Sequence, residues 1–261
     1  MTARNLVLVH GAWAGGWVWD SMLEPLRAAG FNPVVVDLPG AGVLDRDTVV
    51  DLSAVTDHVV AVLDSLDGPA VLVGHSGGGI VVSQVAERVP AAVAGIVYVA
   101  GMMLPSGMDF GMLCNEVELP APVGISRWVV SSDDGFSSVV PPEAGAAVFF
   151  HEAPVADAIA AARQLVPQQE TARLMAPTIT PERFGTVPRL YVECTLDRTV
   201  PIETQRGMQQ RVPGANVVSL ETDHAPQLSA RTELVTAIAE FAADALSRTR
   251  RLEPAVVGPS S

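Results

Sequence analysis

The chain has 261 residues, of which 49% are hydrophobic and 17% charged, and its formal net charge is −13. This composition is typical of a globular protein that buries one sizeable core, so we predict a single main domain with a small insertion. The strong negative charge repels phosphate groups, which excludes nucleic acid and anionic membrane surfaces as expected partners. No apolar run reaches the roughly 18–20 residues that a membrane-spanning helix needs.

The first predicted strand, residues 6–9, leaves little chain before it for a secretory signal, and we therefore expect a cytoplasmic protein. The two cysteines, Cys114 and Cys194, lie far apart and match no metal-binding or redox spacing. We predict two reduced thiols and no metal site. The sequence does not determine the oligomeric state, and a homodimer stays open.

Six short runs of branched apolar residues recur along the chain, each bounded by turn residues. Runs without polar alternation are typical of strands buried on both faces of a parallel sheet. Segments with helical periodicity separate them, which predicts right-handed crossovers and an α/β fold with a doubly wound, mostly parallel sheet. The predicted strands are residues 6–9, 33–36, 70–73, 95–99, 189–192 and 216–220, and the predicted helices are residues 18–29, 52–66, 80–88, 203–211 and 232–246.

The alternation of strands and helices stops in residues 102–187. This stretch holds a helical pattern at residues 155–166 and few strand-like runs, so we predict a helical cap inserted over the carboxyl edge of the sheet. The core then consists of residues 1–101 and 188–250. The terminal residues 251–261 contain Pro, Gly and Ser and are expected to be disordered.

A glycine-rich loop, His-Gly-Ala-Trp-Ala-Gly-Gly, follows the first predicted strand at residues 10–16. Such a loop either cradles a dinucleotide or supplies a backbone N–H to an oxyanion. The spacing does not fit G-x-G-x-x-G, and Trp13 would stand where a pyrophosphate approaches, which argues against a nucleotide-binding oxidoreductase. We therefore predict the backbone N–H of Ala12 as an oxyanion donor, because the His-Gly pair lets the chain turn there.

A Gly-His-Ser-Gly-Gly motif at residues 74–78 directly follows the third predicted strand and precedes a predicted helix. A nucleophile elbow requires this order, because its serine sits in a strained turn that flanking glycines permit. The turn would project the hydroxyl of Ser76 at the carboxyl edge of the sheet and aim the backbone N–H of Gly77 at an oxyanion. We predict Ser76 as the nucleophile and Gly77 as the second donor. The alternative is a glycine-rich turn with an incidental serine.

A serine hydroxyl needs a base, and behind such an elbow the acid and then the histidine follow the serine in chain order. Of the five histidines, only His224 follows the last predicted strand, and it is the predicted base. Asp197 lies in the loop after the strand at residues 189–192, where its carboxylate can accept the imidazole N–H. Two acids are alternatives. Asp223 should point away from its neighbour in an extended segment, and Glu193 falls at the strand end, too early for the loop.

Five motifs carry a resemblance to a known family. They are His10-Gly-Ala-Trp13 with Trp17, Asp37-Leu-Pro-Gly40, Gly74-His-Ser-Gly-Gly78, residues 191–194 with Asp197 and Pro201, and Asp223-His-Ala-Pro-Gln-Leu-Ser229. Together they resemble the methyl esterase and hydroxynitrile lyase branch of the α/β-hydrolases, which includes the salicylate methyl esterases and polyneuridine aldehyde esterase. The resemblance spans roughly residues 5–245. It implies an α/β-hydrolase fold, a serine hydrolase without cofactor, and a triad of Ser76, Asp197 and His224.

The resemblance also separates two activities. The lyases of this branch carry a threonine and a lysine where this chain has Gly11 and Ala225. Hydrolysis of a small or medium carboxylic ester is therefore favoured, while thioesterase, lactonase or lyase activity and a catalytically silent binding protein stay open. For the substrate pocket we predict Trp13 and, in the cap, Trp128, because the family often keeps a bulky residue in that part of the cap.

Overall fold

The computed structural model describes residues 3–116 and 124–252. The strands are β1 (Asn5–Val9), β2 (Asn32–Val36), β3 (Ala70–His75), β4 (Val93–Val99), β5 (Val130–Ser131), β6 (Ser137–Val139), β7 (Gln168–Gln169), β8 (Arg189–Cys194) and β9 (Ala215–Leu220). The helices are α1 (Asp20–Ala28), α2 (Leu52–Asp64), α3 (Gly78–Arg88), α4 (Phe110–Glu116), α5 (Pro142–Val148), α6 (Val155–Ala162), α7 (Ile202–Arg211), α8 (Pro226–Ser229) and α9 (Arg231–Leu252). None of these helices is long and apolar enough to cross a membrane.

Six of the strands form one sheet in the order β2-β1-β3-β4-β8-β9, and every neighbouring pair in it is parallel. β1 lies beside the edge strand β2, and after β2 the chain crosses back over β1 to add β3, β4, β8 and β9 in order on its other side. This strand order confirms the predicted doubly wound α/β fold.

Apolar side chains cover both faces of the sheet at β1, β3 and β4, as the unbroken apolar runs predict, but the edge strand β9 is mostly exposed and leaves Val217 and Val218 at the surface. In β1, Val7 and Val9 join a cluster with α2 and α3, whereas Leu6 and Leu8 join a second cluster with α1 and α9. Side chains in a strand alternate between the two faces, so a strand between two helical layers needs apolar residues at every position.

The chain between β4 and β8 holds α4, α5 and α6, and also a feature that the predicted helical cap did not include. β5, β6 and β7 form a small antiparallel sheet of three strands. Strands of two or three residues are too short to show a readable alternation, which is why the sequence did not predict them. The cap boundaries at residues 102 and 187 stay a prediction.

The predicted disordered tail begins too early, because α9 continues to Leu252. Arginine and leucine favour a helix, and the first residue that cannot continue one in its interior is Pro254. The remainder of the predicted tail, residues 253–261, lies outside the described residues.

Candidate active site

Ser76 stands between β3 and α3 with a backbone φ of 52°, in the left-handed region that side chains other than glycine rarely adopt. Three backbone hydrogen bonds hold this turn. The N–H of Ser76 donates to the carbonyl of Val99 at 3.1 Å, and its own carbonyl accepts from Gly79 at 2.9 Å and Met102 at 2.8 Å. The chain after β4 and the first turn of α3 therefore stabilise a conformation that would otherwise relax.

The glycines around Ser76 allow backbone segments to approach closely. A Cβ on Gly74 would lie 2.8 Å from the carbonyl oxygen of Gly78, and one on Gly78 would lie 2.7 Å from that of Val9. A Cβ on Gly11 would lie 2.7 Å from the Cβ of Ser76 and 3.2 Å from its Oγ. The loop after β1 is thus packed directly against the side chain of Ser76, and only glycine fits at the contact.

The two predicted oxyanion donors lie next to each other. An ideal Cβ on Gly77 would stand 3.7 Å from the backbone nitrogen of Ala12. Neither of these two N–H groups donates a hydrogen bond within the described part of the chain. Both residues line the same cavity as Ser76. Two free N–H groups beside a serine are the donor set that binds the oxygen of a tetrahedral intermediate.

The predicted acid and base are hydrogen-bonded to each other. Nδ1 of His224 lies 2.7 Å from Oδ2 of Asp197. The second oxygen, Oδ1, accepts the N–H groups of Thr199 at 2.7 Å and Val200 at 2.9 Å, which compensates the burial of the carboxylate. Because a carboxylate accepts, Nδ1 carries the hydrogen, and Nε2 of His224 is the nitrogen left to act as a base. Ser76 and His224 line the same cavity.

The first rejected acid, Asp223, binds the backbone and not the imidazole. Its Oδ1 accepts from the N–H of Ala225 at 3.1 Å and the hydroxyl of Ser229 at 2.6 Å, while Oδ2 accepts from the N–H of Glu152 at 2.8 Å. Its side chain therefore fastens the loop of His224 to the cap.

The second rejected acid, Glu193, is engaged at the end of β8. Its Oε1 accepts from Arg206 at 2.9 Å and from the hydroxyl of Ser219 at 2.7 Å. Burial alone would raise the pKa of Glu193, but these hydrogen bonds, together with that of Gln209, outweigh burial and lower it. Glu193 is thus the ionised partner of a surface arginine, and within the described part of the chain it forms no hydrogen bond or ion pair with a histidine.

Sequence reasoning missed the role of His75, which lies against His224 with ring centroids 4.8 Å apart. Nε2 of His75 is 2.7 Å from the carbonyl oxygen of His224, and since a carbonyl only accepts, this nitrogen donates. Burial, assisted by the charge of His224, lowers the pKa of His75 to about 3. The ring is therefore neutral in neutral solution and anchors the backbone of the predicted base. The one signal for this role in the sequence is the position of His75 directly before Ser76 in the elbow motif.

His10 has an anchoring role in the loop after β1. Its Nε2 accepts the N–H of Leu38 at 3.0 Å, which leaves Nδ1 to donate to the carbonyl of Gly11 at 2.8 Å. Burial lowers the pKa of His10 and favours this neutral form. Oδ1 of Asp37 accepts the N–H of Gly16 at 2.6 Å. Both contacts tie the loop of Ala12 to the end of β2.

A cavity of about 620 Å³ opens above Ser76 and His224. The predicted pocket residue Trp13 lines it, together with Phe149 and Phe150 from the cap and Phe110 from α4. Its wall thus comes from the loop after β1 and from the inserted segment. Among the described residues, no group of three His, Cys, Asp or Glu side chains is arranged to hold a metal ion.

The expectation that Trp128 lies in the pocket is wrong. Its side chain does not line the cavity and is 51% exposed. It ends the 3₁₀ turn Ile125–Trp128, of which Ile125 is buried and lines the cavity. Beyond this turn the chain enters the exposed strand β5, and Trp128 lies at the surface beside it.

The chain is similar to several known proteins. A family model described as "Alpha/beta hydrolase family" matches residues 6–237. A pyrethroid hydrolase of Sphingobium wenxiniae is 32% identical over 253 residues, which cover 93% of this chain and 89% of the relative. Methylesterase 7 of Arabidopsis thaliana is 30% identical over 253 residues, covering 92% of this chain and 96% of the relative. The crystal structure of a pyrethroid hydrolase from Sphingobium faniae JZ-2 matches with a TM-score of 0.79 at 29% identity, over 93% of this chain and 98% of that one.

Proposed function

The chain belongs to the alpha/beta hydrolase family, and from this premise we propose that it is a serine-dependent carboxylic ester hydrolase. The observation that carries the proposal is the 2.7 Å hydrogen bond between Asp197 and His224, in a cavity that the strained Ser76 also lines. The relatives are named as a methylesterase and a hydrolase, in agreement with this class.

In the proposed first step, Oγ of Ser76 attacks the ester carbonyl carbon while Nε2 of His224 takes its proton. The carboxylate of Asp197 stabilises the imidazolium that forms. The backbone N–H groups of Ala12 and Gly77 donate to the oxyanion of the tetrahedral intermediate. When the intermediate collapses, the C–O bond to the alcohol breaks, and the alcohol leaves with the proton from His224.

The second step releases the acid. A water molecule gives a proton to His224 and attacks the acyl carbon on Ser76, again through an oxyanion. Collapse breaks the acyl–Oγ bond, Ser76 takes the proton back from the imidazolium, and the carboxylic acid departs. No step uses an oxidant, a metal or an organic cofactor, so ester and water are the only reactants and the alcohol and the acid are the only products.

A small or medium ester with apolar substituents is the proposed substrate. The cavity volume of about 620 Å³ falls in the range of small-molecule sites, and its wall includes the aromatic side chains of Trp13, Phe110, Phe149 and Phe150. The residue at position 11 argues against cyanohydrin cleavage. The lyases of the resembling branch carry a threonine there, and in this chain a Cβ on Gly11 would stand 2.7 Å from the Cβ of Ser76, so a threonine would not fit. The cytoplasmic location stays a prediction from the sequence, and the oligomeric state stays open.

A fluorophosphonate probe, which phosphonylates activated serines, tests the proposal. We expect the wild-type protein to be labelled and the Ser76→Ala variant to lose both the label and ester turnover, by about 10⁶ in kcat. The matched control is Ser126→Ala, which removes another serine of the cavity wall and should stay labelled. Labelling that persists in Ser76→Ala would contradict the proposal, and so would a wild type that neither labels nor hydrolyses p-nitrophenyl esters of increasing acyl length.

A further inference from the structure

Trp13 is a strained residue next to a proposed oxyanion donor. Its backbone φ is 57°, in the left-handed region that a bulky side chain adopts only where its surroundings hold it. It directly follows Ala12, and its side chain is 6% exposed. Ala12 and Trp13 share a peptide group, so contacts that hold the backbone of Trp13 also restrict the backbone of Ala12.

The cap supplies three hydrogen bonds that do so. The backbone N–H of Trp13 donates to Oε1 of Gln168 at 3.3 Å, and its carbonyl accepts the N–H of Val166 at 2.9 Å. The indole N–H donates to Oγ of Ser138 at 3.0 Å. The guanidinium of Arg173 lies over the indole, 5.2 Å from its centroid. Backbone and side chain of Trp13 are thus both held from the inserted segment.

The small antiparallel sheet explains why two of these groups point the same way. Ser138 of β6 pairs directly with Gln168 of β7, and directly paired residues share one face of a sheet. The next pair, Ser137 and Gln169, faces the other side. There Oε1 of Gln169 accepts the N–H of Val50 at 3.0 Å, away from the oxyanion loop. The two adjacent glutamines therefore hold two different loops.

The amide of Gln168 is buried, with 5% exposure, and its orientation is determined by its partner. The backbone N–H of Trp13 can only donate, so the oxygen of the amide must face it. A side chain of similar length without an acceptor oxygen would leave this N–H unpaired and the left-handed turn less constrained.

We propose that Gln168 is a positioning residue of the oxyanion hole: through Trp13 it keeps the N–H of Ala12 aimed at the oxygen of the tetrahedral intermediate. Ser138 assists from the neighbouring strand by holding the indole. The inference rests on the proposed ester hydrolysis and gives the cap a role in transition-state stabilisation as well as in enclosing the substrate. Oxyanion donors act through preorganisation, so loosening one should weaken transition-state binding more than substrate binding.

The substitution Gln168→Met tests this, because methionine keeps the length and removes the acceptor. We expect kcat for a p-nitrophenyl ester to fall about ten-fold while KM changes by less than about two-fold. The inhibition constant of an arylboronic acid, whose tetrahedral adduct with serine places an oxygen in the oxyanion hole, should rise by the same factor of about ten. Ser138→Ala should shift kcat and the inhibition constant in the same direction.

Gln169→Met is the matched control, since it changes the same residue type in the same strand but on the face that holds the Val50 loop. It should leave kcat and the inhibition constant unchanged. Equal losses in Gln168→Met and Gln169→Met, or no loss in Gln168→Met, overturn the inference. If Gln168→Met does not fold, an unchanged kcat in Ser138→Ala overturns it instead. A wild type that a fluorophosphonate does not label at Ser76 overturns the proposed function and the inference together, whereas a labelled wild type with unaffected variants overturns the inference alone.

Discussion

The ring of Phe149 stacks on the imidazole of His224, with centroids 5.4 Å apart and planes inclined by 30°. Phe149 follows α5 in the cap, is 5% exposed, and also stacks on Trp13 at 6.5 Å. His75 packs on the same imidazole at 4.8 Å. The proposed base is therefore held by a cap residue as well as by the elbow and by its carboxylate partner.

Replacing Phe149 with leucine should impair catalysis. Leucine keeps an apolar side chain but removes the flat ring that limits rotation of the imidazole, so we expect kcat/KM for a p-nitrophenyl ester to fall about ten-fold. Phe136→Leu is the control, because Phe136 packs under Arg46 and does not line the cavity. An unchanged kcat/KM in folded Phe149→Leu would show that the stacking does not orient the base.

The two aspartates near His224 should respond differently to the change to asparagine. Asp197→Asn should lower kcat by about 10⁴, since an amide can present its N–H to Nδ1 and disturb the tautomer. Asp223→Asn should lower the free energy of unfolding by about 1–3 kcal/mol, because it replaces one oxygen of a buried carboxylate that accepts three hydrogen bonds. It should lower kcat much less. Steady-state kinetics and urea denaturation of both variants measure this. A larger kcat loss in Asp223→Asn would contradict the assignment of the acid.

Substrate preference should depend on the side chains that line the cavity and not on side chains at the surface. Phe110→Ala removes a ring from the wall and enlarges the cavity. We therefore expect the ratio of kcat/KM for a bulky aryl ester to kcat/KM for an acetate ester to change by about ten-fold, which is the effect of one or two contacts. Trp128→Ala removes a side chain outside the cavity and should leave the ratio unchanged. The ratio of kcat/KM for the two esters is the measurement. A shift in Trp128→Ala alone would mean that the substrate extends beyond the cavity.

Acid should destabilise the fold through His75. Its pKa is about 3 in the folded chain, against an ordinary value of 6.5, so between these values the unfolded chain binds more protons and stability falls as the pH falls. From about pH 7 to about pH 4.5, this one group should cost roughly 2–3 kcal/mol of unfolding free energy.

The variant His75→Gln isolates this contribution. Glutamine can still donate to the carbonyl of His224 but does not titrate, so its unfolding free energy should decrease less over the same pH range. Urea denaturation of both proteins at several pH values measures the difference. Parallel pH profiles would mean that His75 is not the group responsible.

Much of the fold could be predicted because its signals are local. Each of the six strands of the main sheet contains a short run of adjacent apolar residues, and the elbow is five adjacent residues between a strand and a helix. Chain order then pointed to Asp197 and His224, and the structure joins these two at 2.7 Å. The resemblance to the methyl esterase branch is confirmed by the family match and by the methylesterase relative.

The sequence by itself determined the sheet, the elbow and the residues that carry the proposed chemistry, because hydrophobic runs and glycine turns act over a few adjacent residues. Only the tertiary structure decided which cap residues reach the site. Trp13 meets Ser138 and Gln168 across 125 and 155 residues of chain, through strands of two and three residues that carry no periodic signal. The positions of Phe149 on His224 and of Trp128 at the surface have the same cause, since both depend on how the inserted segment packs over the sheet.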